Sequence, residues 1–325
     1  MLKIAIIGTG WFADKHADLL AARDDVQVVA FLGTSIHKAE KLAQRYAGSQ
    51  AFDDIEQLLD TCKPDAVYIN VPPMAHGPIE EAILARNLPF LVEKPIGLDM
   101  QTVDRIQQLV ESKQIITSVG YHIRYTDAAQ TARKLLETRK VGMAVGGWMG
   151  QMPGVPWWRK QGGSGGQFVE QTTHIVDLVR YLVGEVEEVY AAYAQRHMHT
   201  SHEGVEVADV GAVTLKLANG AIASLTNTCI LPFGHRSGLE LFTDQGVLEI
   251  QQSQYLKHHE GSLITEYKDN ANPYERETDA FLYAIKTGDR SRILTDYTDA
   301  AVTLRITLAA LASSQSGLPI KLGTK

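Results

Sequence analysis

The first 120 residues alternate strand with helix, and a glycine turn closes the first strand. That pattern restricts the fold more than any other feature of the chain. "KIAIIG" is a β-branched run, and "FADKHADLLAAR" carries apolar residues at helical spacing. "VQVVAFLG" is again strand-like and "IHKAEKLAQRYA" again helical. "AVYINVP", "HGPIEEAILARN", "PFLVEKP", "MQTVDRIQQLVESK" and "IITSVGY" continue the rhythm. Alternation at this spacing predicts βαβ units and a parallel sheet with helices on both faces. The near-continuous apolar strands agree, because a parallel sheet is buried on both sides.

"GTGWFA" runs from Gly8 to Ala13, directly after the first strand and at the opening of the first helix. It fits the G-x-G-x-x-G/A dinucleotide pattern of a Rossmann domain. Gly8 permits the tight turn, Gly10 admits a pyrophosphate close to the backbone, and Ala13 keeps helix near strand. Thr9, Trp11 and Phe12 lie on the same loop and helix start, whose free N–H groups suit phosphate. At the end of the second strand an acid would favour NAD, and basic residues would favour NADP. The chain has no acid near Gly33. It has Thr34, Ser35 and Lys38, which predict NADP(H) as the preferred cofactor, with NAD as the alternative.

Beyond Tyr121 the rhythm changes. A helix at "DAAQTARKLLETR" leads into long strands with alternating faces and hairpin turns such as Asn219-Gly220. A single helix is expected over "GQFVEQTTHIVDLVRYLVG", and the tail is helical. The expected architecture is therefore α/β. A doubly wound parallel Rossmann sheet over 1–122 precedes an α+β domain over 123–325 with a mainly antiparallel open sheet. The composition is globular, 45% hydrophobic and 21% charged. A net charge of −7 argues against a nucleic-acid partner. Cys62 and Cys229 are too few and too far apart for a disulfide framework or a metal cluster, and no run approaches the ~20 apolar residues of a membrane span. These features predict a soluble, cytoplasmic protein.

"FLVEKPIG" delivers Glu93 and Lys94 to the point where an apolar strand must turn. Pro95 disfavours helix at Lys94, so the lysine is expected to be extended at a strand's carboxyl end, where α/β sheets bind ligands. Its ammonium could hydrogen-bond a substrate hydroxyl. If partly desolvated, its pKa could fall to about 7–8, which suits proton transfer. Glu93 could orient it or a nicotinamide amide. In the second domain Glu170, His174, Asp177 and Tyr181 recur at i, i+4, i+7 and i+11, one face of the expected helix. The spacing is not that of a metal site, and no metal is expected.

"GTGWFA", "NVPPMAH" at 70–76, "LVEKP" and "VGYHIRY" at 119–125 together resemble the Gfo/Idh/MocA family over nearly the whole chain. The resemblance implies an NAD(P)-dependent oxidoreductase that moves a hydride between a nicotinamide and a carbinol of a sugar, sugar derivative or cyclitol. By carry-over, Lys94 is the main acid/base and His174 a second catalytic residue. Glu170, Tyr121, Arg124 and Asp177 take substrate-side roles, Asp177 as a supporting acid, and His122 lies in the same segment as Tyr121 and Arg124. Trp158 is expected on the substrate side for a separate reason, since aromatic rings pack on sugar C–H faces. Asn70, Pro72, His76, Glu93 and Lys94 itself join the cofactor site. The family commonly has Asp where Glu170 stands and a small Gly-containing pair where Gln171-Thr172 stands. The resemblance also implies a homodimer or homotetramer. It leaves open two other activities known in this fold: glycosidic cleavage with a retained NAD, and a non-catalytic nucleotide-sensing regulator.

Overall fold

In the computed structural model, which describes residues 1–252 and 254–323, the chain divides into two compact units. The first contains Met1–Gly120 and Glu277–Ala301; the second contains Tyr121–Arg276 and the chain from Val302 onward.

The first unit runs β1 (Leu2–Ile7), α1 (Trp11–Ala21), β2 (Val26–Leu32), α2 (Ile36–Ala43), β3 (Gln50–Phe52), α3 (Ile55–Cys62), β4 (Ala66–Ile69), α4 (Pro78–Ala85), β5 (Phe90–Val92), α5 (Met100–Lys113) and β6 (Thr117–Val119). All pairings are parallel, in the order β3-β2-β1-β4-β5-β6. This is the doubly wound order whose chain reversal opens a crevice between β1 and β4. The central strands bury apolar side chains on both faces: Ile4, Ile6, Val67, Ile69, Leu91 and Val92 are all buried. Register aligns Ile7 with Ile69, Ile69 with Val92, and Val92 with Val119. The next residue of each strand therefore falls on a common carboxyl edge. There Gly8 N donates to Leu32 O (2.9 Å), Asn70 N to Ile7 O (2.7 Å), Glu93 N to Ile69 O (2.9 Å) and Gly120 N to Val92 O (2.9 Å).

Residues 277–301 differ from the expected boundary, which put everything after 122 in the second domain. They complete the first unit. Phe281 packs edge-on to Tyr68 (5.7 Å) and Tyr297 to Phe90 (6.0 Å). Val119 N donates to Thr295 O (3.0 Å), so this segment occupies the exposed edge of β6, a position that would otherwise invite unwanted pairing.

The second unit holds α6 (Asp127–Leu136), β7 (Val141–Met149), α7 (Gln161–Ser164), α8 (Gln167–Glu170), α9 (Thr173–Leu182), β8 (Val186–Ala194), α10 (Met198–Ser201), β9 (Val210–Leu217), β10 (Ile222–Thr228), β11 (Arg236–Thr243), β12 (Gly246–Gln251), β13 (Tyr255–Glu260) and β14 (Leu263–Lys268). Then follow α11 (Pro273–Thr287), α12 (Tyr297–Ser316) and β15 (Ile320–Lys321), with 277–301 belonging to the first unit. The nine-stranded sheet has the order β14-β13-β12-β11-β7-β10-β9-β8-β15. Only β7 and β10 pair in parallel among the described residues, so the antiparallel expectation holds in the main. One face buries Leu215, Ala223, Leu225, Leu239, Leu241 and Leu248 against α9 and α12. Alternating pairs on the other face leave Met143, Tyr190 and Ile222 exposed.

The helix expected over 166–184 is two helices. Thr172 N reaches back five residues to Gln167 O, and His174 N only three, to Gln171 O, so the turn between them first widens and then tightens. The cause is Gln167. Its amide is anchored to β10 through Thr228 O (3.0 Å) and Asn227 Nδ2 (2.9 Å), which holds α8 to the sheet.

Candidate active site

The carboxyl edge of the first sheet gathers the residues expected to hold a dinucleotide. Gly8 has φ +114, and a Cβ there would lie 2.3 Å from Asn70 O, so only glycine lets β1 turn against the β4 loop. A Cβ on Gly10 would meet nothing within 4 Å, and Gly10 caps α1 without a side chain. The helix start therefore faces open space with its backbone uncovered, which is what a phosphate requires. Asn70, 9% exposed, has both carboxamide atoms buried without a protein partner. Buried amides normally have partners, so these orphaned atoms beside the glycine loop fit a bound dinucleotide. His76 is buried with Nδ1 2.6 Å from Glu80 Oε1, and its Nε2 has no protein partner. Glu80 Oε2 accepts from Gly77 N at 2.6 Å, which fixes the loop that follows Pro72. At the end of β2, Lys38 Nζ donates to Thr34 Oγ1 (3.1 Å), and Ser35 caps α2 through its backbone alone. Trp11 is exposed, with Lys15 Nζ 5.1 Å from its ring centre, and Phe12 packs edge-on to it.

Lys94 follows the same edge and is half-buried. Glu93 was expected to face the cofactor or Lys94. Its Oε1 lies 2.8 Å from Nε2 of the fully buried His16 on α1. Lys15, next on that helix, has its pKa lowered by burial, an effect partly opposed by the charges of Glu93 and Glu277. None of His16, Lys15 or Glu277 was singled out from sequence. The available signal was a histidine on the apolar stripe Ala13, Ala17, Leu20 of an amphipathic helix.

In the second unit His174 sits in an aromatic nest. Tyr121 is edge-on at 5.8 Å, His122 at 4.9 Å, and Trp148 is nearly parallel at 6.0 Å. His122 stacks on Tyr274 at 4.2 Å. Trp148 and Tyr274 are not legible as neighbours of His174 because β7 and α11, which carry them, are separated from α9 in the chain. The substrate-side residues prove to be tied to one another. Tyr121 OH lies 2.9 Å from Thr173 Oγ1, and burial followed by the Asp177 charge pushes its pKa up. Arg124 grips Asp177 with two bonds, Nε to Oδ2 (2.7 Å) and Nη2 to Oδ1 (2.6 Å), both side chains buried. Trp158 is not an exposed stacking ring. It is 1% exposed, packs with Met198, Val207 and Cys229, and donates its indole N–H to Glu170 Oε2 at 2.8 Å. The helix break after Glu170 also undoes the expected single face through 170, 174, 177 and 181. Among the described residues, no three His, Cys, Asp or Glu side chains gather to hold a metal, and no helix is long and apolar enough to cross a membrane.

A doubly wound sheet with a glycine loop, orphaned amide and lysine on one carboxyl edge defines a dinucleotide-binding oxidoreductase domain. The chain belongs to the Gfo/Idh/MocA family: residues 2–121 match the oxidoreductase family with an NAD-binding Rossmann fold, and residues 105–249 match the GFO/IDH/MocA C-terminal domain. It is 23% identical to myo-inositol 2-dehydrogenase of Thermotoga maritima, over 99% of this chain and 98% of that one. It is likewise 23% identical to scyllo-inositol 2-dehydrogenase (NAD(+)) of Bacillus subtilis, over 100% and 97%. Levoglucosan dehydrogenase, solved with NADH and L-sorbose, superposes with a TM-score of 0.89 at 18% identity over 100% and 99% of the two chains.

Proposed function

We propose that the protein is a dehydrogenase acting on a carbinol of a sugar, sugar derivative or cyclitol, with Lys94 and His174 as its catalytic residues. The observation that carries this reading is the placement of Lys94. It follows β5 on the edge that holds Gly8 and Asn70, the side of the sheet where α/β folds bind nucleotide and substrate. The relatives named for inositol and the structural neighbour named for levoglucosan support the substrate class. The nicotinamide, when bound, supplies the hydride acceptor or donor.

The chain's own residues handle the proton and the oxygen. Lys94 Nζ takes or returns the hydroxyl proton and stabilises charge on the oxygen. His174, its ring held by three neighbouring rings, is the second proton-transfer residue. Glu170, steadied by Trp158, accepts a substrate hydroxyl. Arg124 and Asp177 support that shell from behind. Gly8 to Phe12, Asn70, Pro72 and His76 hold the dinucleotide. Thr34, Ser35 and Lys38 favour the 2′-phosphate of NADP, since two hydroxyls and an ammonium suit phosphate and no acid opposes it.

A homodimer or homotetramer joined through the exposed face of the nine-stranded sheet completes the proposal. Met143, Ile222 and Tyr190 project from that face beside a concavity of about 610 Å³ lined by Glu240, Phe242 and His259. Light scattering after size exclusion decides it, and a monomer would remove it.

The test is the change in nicotinamide absorbance with myo-inositol, scyllo-inositol, aldohexoses and sugar acids, each run with NADP and NAD. Turnover supports the proposal. Silence throughout, with a cofactor that copurifies and never turns over, would replace it with retained-cofactor chemistry or nucleotide sensing.

A further inference from the structure

The buried pair His16–Glu93 ends on the residue immediately before Lys94. His16 is wholly inaccessible on a helix face otherwise lined by Ala13, Ala17 and Leu20. A polar ring in such a stripe is costly to bury unless it is hydrogen-bonded. Its partner comes from two strands away: α1 follows β1, whereas Glu93 follows β5, with β4 between them. Tyr68 of β4 fills that gap and packs its ring 5.4 Å from His16.

Glu93 is held on every side. Its N–H donates to Ile69 O, and its Oε1 is 2.8 Å from His16 Nε2. On the β6 side a Cβ on Gly120 would stand 2.5–3.0 Å from the carboxylate atoms, so the side chain already fills that space. With the ionised carboxylate as acceptor, His16 carries its proton on Nε2. The charges of Glu93 and Glu277 both act on Lys15, the residue before His16.

We infer that His16 is a positioning residue for Lys94: through Glu93 it locks the turn that presents the lysine, and it ties that turn to the helix opened by the glycine loop. Glu93 thus serves the lysine from behind. This role presupposes Lys94 as the acid/base of the proposed reaction. A buried supporting shell of this kind is what holds a catalytic group within tolerance.

The experiment is reductive ¹³C-methylation of the full chain, with the Lys94 signal assigned by Lys94→Arg. His16→Ala should move the Lys94 signal to the position of solvent-exposed lysines, and Glu93→Ala should do the same from the other side. His16→Gln, which places an amide N–H near the site of Nε2, should restore the native signal. The dissociation constant for NADH, followed by fluorescence, should stay within about twofold in all of them. In turnover, kcat should fall about 10- to 100-fold in His16→Ala with little change in cofactor KM, the sensitivity expected of a group displaced by about 1 Å. An unmoved Lys94 signal in His16→Ala and Glu93→Ala overturns the inference, and so does a displaced signal in His16→Gln or a parallel loss of NADH affinity. If Lys94→Met keeps wild-type turnover, the catalytic reading of Lys94 fails instead, a result independent of the signal positions.

Discussion

Arg124 and Asp177 form a two-bonded ion pair in the interior of the second unit, and Thr303 adds a third bond to Asp177 at 3.1 Å. The family resemblance implies substrate-side roles for both. Removing one partner strands a buried charge. Asp177→Ala should therefore cost about 3–5 kcal/mol in denaturant unfolding, and Arg124→Met/Asp177→Leu together should recover much of it. A normal unfolding curve for Asp177→Ala, with a raised substrate KM, would return Asp177 to the substrate.

The indole N–H of Trp158 steadies Glu170. Trp158→Phe keeps most of the buried ring and removes that donor. It should raise substrate KM by about tenfold, equivalent to about 1.4 kcal/mol, with a smaller effect on kcat. Steady-state kinetics alongside a melting curve separates this from simple loss of packing.

On the proposed reading, in which Lys94 handles the hydroxyl proton, Lys94→Met should lower kcat by orders of magnitude and leave NADPH affinity nearly intact. Loss of binding in step with loss of turnover, measured by titration and rate together, would remove the lysine from proton transfer.

The end of β2 offers a test of cofactor choice. Thr34→Asp puts an acid beside Lys38 at a position that would face a 2′-phosphate. NADPH binding should weaken relative to NADH by about tenfold or more, read as the ratio of two dissociation constants. A wild-type protein that already prefers NADH would refute the assignment.

Glu80 is almost completely buried on α4. Desolvation raises its pKa, but His76 and the Gly77 N–H outweigh that, and the net shift is below the ordinary 4.5. A carboxyl lowered on folding stabilises the native state above its unfolded value and loses that contribution as pH falls through the folded value. Wild type should therefore exceed Glu80→Gln in stability most clearly above pH 4.5, and the gap should narrow in acid. A gap constant from pH 7 to pH 3 would mean that Glu80 is not ionised in the fold.

Much of the fold was legible because it is written in local periods. β1, β2, β4 and β5 are apolar runs, and α1 and α5 have their apolar faces at helical spacing. The three-residue β3 is too short to leave a period, and β13–β14 alternates only weakly, with Leu263 and Ile264 exposed at the sheet's edge. Tertiary partners hid the rest. The break before α9 is imposed by Gln167 bonding to a strand 60 residues away. His16 reads as an ordinary helical residue until Glu93, 77 positions on, comes beside it. The glycine loop and the Glu-Lys-Pro turn were legible because their chemistry is contiguous. The shell behind them is not.

The return of residues 277–301 to the first unit bears on how the protein is made. Synthesis proceeds from the N-terminus, and domains usually fold as they emerge. Here the strand edge at Val119 waits for Thr295, and Phe90 waits for Tyr297, until more than nine-tenths of the chain has left the ribosome. The nucleotide-binding unit is thus the first begun and among the last finished. A gene fragment ending near codon 122 would encode an open-edged sheet prone to self-association, and would not give a free-standing domain.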